Sequence, residues 1–105
     1  MMSKIPLGLE NLSKETIDKE ILRAGIIAEL DAINMYEQMA AFAKDANIKK
    51  MLLDIAKEEK THMGEFQRLL LNRDREQVEE LEKGKKEVKD EVGEWNENSN
   101  NLSRR

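Results

Sequence analysis

Residues 20–43, EILRAGIIAELDAINMYEQMAAFA, and residues 46–71, ANIKKMLLDIAKEEKTHMGEFQRLLL, decide the fold. In the first stretch a stripe in alternating steps of four and three runs Leu22, Ile26, Glu29, Ile33, Tyr36, Ala40, Ala43. In the second it runs Ile48, Leu52, Ile55, Glu59, His62, Phe66, Leu69. Such spacing keeps side chains on one side of an α-helix, as the seam of a helical bundle requires. Most charges fall on other phases, among them Glu20, Arg23, Asp31, Glu37, Lys49, Lys50, Asp54, Lys57 and Lys60. No run alternates with the period of two that marks a half-buried strand. The pattern is all-α.

Local signals bound the helices. Ser13 is placed to cap a first helix with Glu15 in its opening turn. Gly25 is the one weak point inside it, and a single interior glycine costs about 1 kcal/mol. Lys44-Asp45-Ala46-Asn47 reads as a tight turn, with Asp45 or Asn47 capping the next helix. Asp74 with Gln77 resembles a capping box that opens a third helix, which stops at Gly93. The helices are therefore expected over about 14–44, 46–71 and 75–92, in one helical domain spanning 13–93. Residues 1–12 hold the only proline and read as an irregular arm, with Ile5, Leu7, Leu9 and Leu12 available for packing. Residues 94–105, EWNENSNNLSRR, read as a polar disordered tail that includes Trp95. The third helix mixes Glu, Lys and Arg, with Val78, Leu81 and Val88 on one side, as in a solvated helix with a narrow docking face.

Composition narrows the function. A chain of 105 residues buries only a little over ~60% of its unfolded surface, so association with further copies is the first expectation. With 22 acids against 18 bases, the net charge of −4 disfavours nucleic acid, whose phosphates call for a basic surface. No apolar run approaches the ~18 residues of a membrane span. The opening residues MMSKIPLGLE lack the apolar core of a signal peptide. Without cysteine there is no disulfide, no thiolate metal site and no cysteine nucleophile, which fits a reduced cytoplasmic compartment.

The charged residues that do lie on the apolar stripes are Glu29, Glu59 and His62, with Tyr36 as a partly polar neighbour. If the chain reverses near Asp45, Glu29 lies opposite His62, and Glu59 sits within a turn of both. All three are about 22 Å from the bend at 1.5 Å per residue, while Tyr36 lies about 10 Å nearer to it. A buried carboxylate without a partner is costly, and a cation is the common explanation for three such groups at one level. Oxygen ligands with one imidazole suit iron, manganese or zinc better than magnesium or calcium. Glu-x-x-His sets both ligands on one helical face.

One hairpin supplies half of a known arrangement. Carboxylate-bridged dimetal sites in four-helix bundles take a Glu from each of two helices and a Glu-x-x-His from each of the others. Two copies of this chain supply four Glu and two His, whose four negative charges balance two divalent ions. A four-helix bundle completed by homodimerisation, with the site at its interface, is the expectation.

The runs IIAELDAINMYEQ over 26–38 and IAKEEKTHMGEF over 55–66 resemble the encapsulated ferritins, two-helix ferritin-like relatives of the rubrerythrins carried inside encapsulin nanocompartments. The resemblance covers roughly residues 14–93 and implies a ferritin-like antiparallel hairpin with a short third helix. It further implies that Glu29, Glu59 and His62 from two chains hold two irons per dimer, with Tyr36 beside them. The implied activity is that of a ferroxidase, oxidising Fe(II) with dioxygen for iron storage. The implied assembly is a dimer within a ring of ten chains, housed by an encapsulin shell. Some members carry an acidic uptake site, whose matching positions here are Ala28 and Asp31, only one of them acidic. Standalone members end in a shell-docking peptide, of which Asn101-Leu102-Ser103-Arg104-Arg105 is a faint version. Asp31, Glu58 and Glu65 lie near the metal level on adjacent phases.

Two other readings compete. A rubrerythrin-like peroxidase normally has a longer four-helix chain, often with a cysteine-rich module. A non-catalytic helical adaptor would use the same seam to bind a partner helix, and would keep its function after Glu29→Ala or His62→Ala.

Overall fold

A computed structural model of the chain describes residue 8 and residues 12–93. Three helices make up the described residues: α1, Lys14–Phe42; α2, Ala46–Leu71; and α3, Arg75–Val92. No strand occurs among them. Most of the expected N-terminal arm, with Ile5, Leu7 and Leu9, lies outside the described residues, as does the whole 94–105 segment with Trp95. No helix of the described residues is long and apolar enough to cross a membrane.

The chain divides into two units, Met1–Arg73 and Asp74–Arg105. In the first, α1 and α2 form an antiparallel hairpin. Ser13 caps α1: its hydroxyl oxygen accepts the Thr16 N–H at 3.3 Å and its O–H donates to Thr16 Oγ1 at 2.8 Å. The helix ends at Phe42, short of the expected residue 44, and Ala43 is already extended at φ −65°, ψ 134°. The reason lies just beyond. Asp45 is itself extended and its Oδ1 accepts the N–H groups of Asn47 and Ile48 at 2.9 and 3.0 Å. A residue capping the next helix needs non-helical backbone, so α1 has to stop before it. Of the two expected caps, Asp45 is the one that acts.

The hairpin core consists of Leu22, Ile33 and Ala40 from α1 with Ala56 and Leu70 from α2. On α1 these residues belong to the expected stripe. On α2 the buried line falls one position along from Ile55 and Leu69, and Ile48, His62 and Leu69 of the expected stripe are exposed. Helix α2 is apolar over an arc wider than one stripe, since Ile55-Ala56 and Leu69-Leu70 are adjacent apolar pairs. The helices close on the line that carries the small Ala56, where little side-chain bulk separates them. The wider remainder of the arc is left as an apolar flank.

The second unit is α3. Asp74 Oδ1 accepts the Gln77 N–H at 3.0 Å and starts it. Gly93, at φ 88°, ends it and donates its N–H to Lys89 O at 2.9 Å. No α3 residue is buried, and the Val78, Leu81, Val88, Val92 side is exposed. Its helical form rests on caps and spaced charges such as Arg75–Glu79 and Glu80–Lys83, both at 3.6 Å.

Candidate metal centre

Midway along the hairpin, α1 presents Glu29 and α2 presents Glu59 and His62 across the seam. His62 Nδ1 lies 3.4 Å from Glu59 Oε2 and 3.8 Å from Glu29 Oε2. One ligand atom from each of the three lies within 4.8 Å of the others. This is the one such grouping among the described residues. The carboxylate side chains are 18% and 19% exposed, whereas the imidazole is 49% exposed. Glu29 Oε2 is buried and has no hydrogen-bond partner.

These distances decide between two ways of satisfying the acids. A hydrogen bond from imidazole N–H to carboxylate oxygen runs at about 2.7–3.2 Å, and neither contact is that short. The orphaned Glu29 oxygen agrees. Two carboxylate charges within 4.8 Å repel by about 3 kcal/mol at an effective dielectric of about 20. A divalent cation among the three atoms offsets that repulsion and occupies the orphaned oxygen. Oxygen and imidazole donors suit iron, manganese or zinc, so the residues present fit a transition-metal ion.

The site is open on one side. At about 100° per residue, Ile21, Met35 and Met39 of α1 and Ile48, Met51 and Leu69 of α2 share the flank to which His62 turns. All six are exposed, apolar and uncharged. The ligand cluster therefore opens onto an apolar flank, bordered beside His62 by the exposed Glu58 and Glu65.

The remaining sequence candidates lie apart from this cluster. Tyr36 is half-buried two turns nearer the bend. Asp31 and Ala28 are half-buried, and Glu58 and Glu65 are exposed; none is among the three clustered ligands. The sequence pattern gives no sign of a second charged contact across the seam, Lys60 Nζ to Glu37 Oε2 at 3.3 Å. Both residues read simply as solvated positions, and only the register of the two helices pairs them. A hollow of about 310 Å³ lined by Glu15, Asp18, Lys19 and Arg73 lies at the open end of the hairpin. It mixes both signs of charge and is remote from the ligand cluster.

A two-helix hairpin with a Glu on one helix and Glu-x-x-His on the other is half of the four-helix pattern of ferritin-like proteins. The family profile described as rubrerythrin matches residues 20–105, and the chain belongs to the rubrerythrin family. A Pyrococcus furiosus protein described as a ferritin-like-encapsulin shell fusion protein is 64% identical over 74 residues, covering 70% of this chain. The matched part is 21% of that relative, so the chain spans about a fifth of its length. The crystal structure of an encapsulated ferritin domain from Pyrococcus furiosus is similar at a TM-score of 0.79 and 50% identity. That likeness covers 91% of this chain and 100% of the crystallised one. The fold is that of the encapsulated ferritin domain.

Proposed function

We propose that two copies of this chain form a ferroxidase, whose substrates are Fe(II) and dioxygen and whose site holds two irons per dimer. The observation that carries the proposal is the clustering of Glu29, Glu59 and His62 within 4.8 Å around a buried carboxylate oxygen that has no hydrogen-bond partner.

The dimer follows from what one chain lacks. Three ligands leave an ion undersupplied, and ferritin-like dimetal sites draw on four helices. The apolar flank beside His62 is the surface on which a second hairpin completes the set, burying exposed side chains such as Met35, Met51 and Leu69. Glu29 and Glu59 supply negative charge that grows in value as each iron loses an electron to dioxygen. His62 offers an imidazole nitrogen that fixes orientation without adding negative charge. Half-buried Tyr36 lies on the same α1 stripe two turns nearer the bend, and its part in the reaction is proposed from the family resemblance.

Delivery of Fe(III) into an encapsulin shell in the cytoplasm is part of the proposal. Its support is the likeness to a ferritin-like-encapsulin shell fusion protein, together with the resemblance of the 26–38 and 55–66 runs. The same resemblance supports assembly of the dimers into a ring of ten chains.

The test is to load the chain with Fe(II) anaerobically, admit air and follow Fe(III) absorbance and oxygen consumption. Rapid oxidation by the natural chain, lost in both Glu29→Ala and His62→Ala, supports the proposal. Oxidation by either variant at the natural rate overturns it.

A further inference from the structure

Gly25 is the one glycine in α1, and its backbone does not require glycine. Among the described residues only Gly93 has positive φ, so Gly25 is helical and any L-residue can adopt its conformation. In a helix interior, glycine costs about 0.5–1 kcal/mol relative to alanine. Space is what it supplies. A Cβ placed on Gly25 falls 3.0 Å from Phe66 Cδ1 and Cε1 and 3.1 Å from Cγ. The other helical glycines, Gly64 and Gly84, would meet nothing within 4 Å. The Phe66 ring thus lies directly against the α1 backbone.

The location of this contact matters more than its closeness. Gly25 precedes Glu29 by one turn of α1, and Phe66 follows His62 by one turn of α2. The contact therefore sits one turn from the ligand cluster on both helices. Relief of the added Cβ requires movement at Cγ as well as at the ring edge. Either the ring turns out of its seat about χ1, carrying Cγ with it, or α2 gives way by a few tenths of an ångström. A metal site tolerates ligand displacements of only about 0.2 Å, and functional geometry holds within about 0.5 Å. Restoring ordinary van der Waals distance calls for a shift of about that size or more.

We propose that Gly25 is a positioning residue for the metal centre: its missing side chain seats Phe66 and holds α1 and α2 at the spacing that brings Glu29 to Glu59 and His62. This rests on the metal-site reading above and adds to it a residue that touches no ligand.

The test titrates Co(II), a spectroscopic probe for such ligands, into the full-length natural chain, Gly25→Ala, Phe66→Leu and the double variant. Melting of each metal-free chain is followed in parallel by circular dichroism. Gly25→Ala is expected to weaken Co(II) binding by about tenfold or more and to alter its visible bands, the range seen when groups behind metal ligands are changed. Phe66→Leu withdraws the ring, so Gly25→Ala in that background should cost less than about threefold. If Gly25→Ala alone fails to fold, the Phe66→Leu pair still decides: a loss of tenfold there overturns the proposal. Natural affinity in Gly25→Ala also overturns it, as does a loss that Phe66→Leu does not relieve. Failure of the natural chain to bind Co(II) removes the metal-site reading itself, a result distinct from all of these.

Discussion

Two charged groupings span the same pair of helices, two turns apart along α1, and they differ in kind. Glu37 and Lys60 meet at 3.3 Å with side chains 48% and 60% exposed. Each has an opposite charge and access to water, so the pair is complete and weak, as exposed ion pairs are. Glu29 and Glu59 are mostly buried, face one imidazole, and leave an oxygen unpartnered. The contrast teaches where charge in this hairpin is structural and where it is held in reserve. The first grouping needs nothing further, while the second is the one that the proposed cation would complete.

The sharpest way to break this contrast is to remove ligands from each grouping in turn. Glu29→Ala or His62→Ala should lower transition-metal affinity by more than about 100-fold in a calorimetric titration, beyond what groups behind the ligands cost. Glu37→Ala and Lys60→Ala should leave it within about twofold. Comparable losses at both places would erase the distinction.

Metal removal comes next in size. An ion that binds only the folded, associated chain stabilises it by about 2.7 kcal/mol at a hundred times its dissociation constant. A chelator should therefore lower the melting temperature and shift size-exclusion elution toward smaller species. In the Glu29→Ala variant the chelator should change neither.

Glu29→Gln isolates the cost of the buried acid. In the metal-free chain, replacing a mostly buried carboxylate, one of whose oxygens has no hydrogen bond, with a neutral amide should raise unfolding free energy by about 1 kcal/mol, measured by urea denaturation. The same change should remove metal binding. A stabilised chain that no longer binds is the signature of a ligand kept for function. The smallest effect belongs to the exposed pair: Lys60→Ala should cost under about 1 kcal/mol, less again in high salt.

Much of this was legible in the residues because the deciding chemistry is local. Ser13, Asp45 and Asp74 accept backbone N–H groups two or three positions on, and Gly93 closes α3 with a positive φ. Such contacts depend only on neighbours in sequence. The convergence of Glu29, Glu59 and His62 was legible too, because a single tight turn at Asp45 ties the heights of the two helices together.

What stayed hidden depends on rotation and register between helices. The choice of Ala56 and Leu70 over Ile55 and Leu69 is made by how closely α1 approaches, which no stripe on α2 alone expresses. The Lys60–Glu37 pair and the seating of Phe66 on Gly25 join residues far apart in the chain. A glycine in an otherwise unbroken helix was the visible trace of that seating, and it read only as a local weakness.

The central claim is that two incomplete ligand sets close around metal at a shared interface. Native mass spectrometry of the chain during anaerobic Fe(II) titration tests it most directly. The account predicts iron at one per chain, found in dimers or multiples of dimers, with metal-free monomer consumed as iron is added. Iron bound to isolated monomers, or dimers that form and persist without taking up iron, would contradict it.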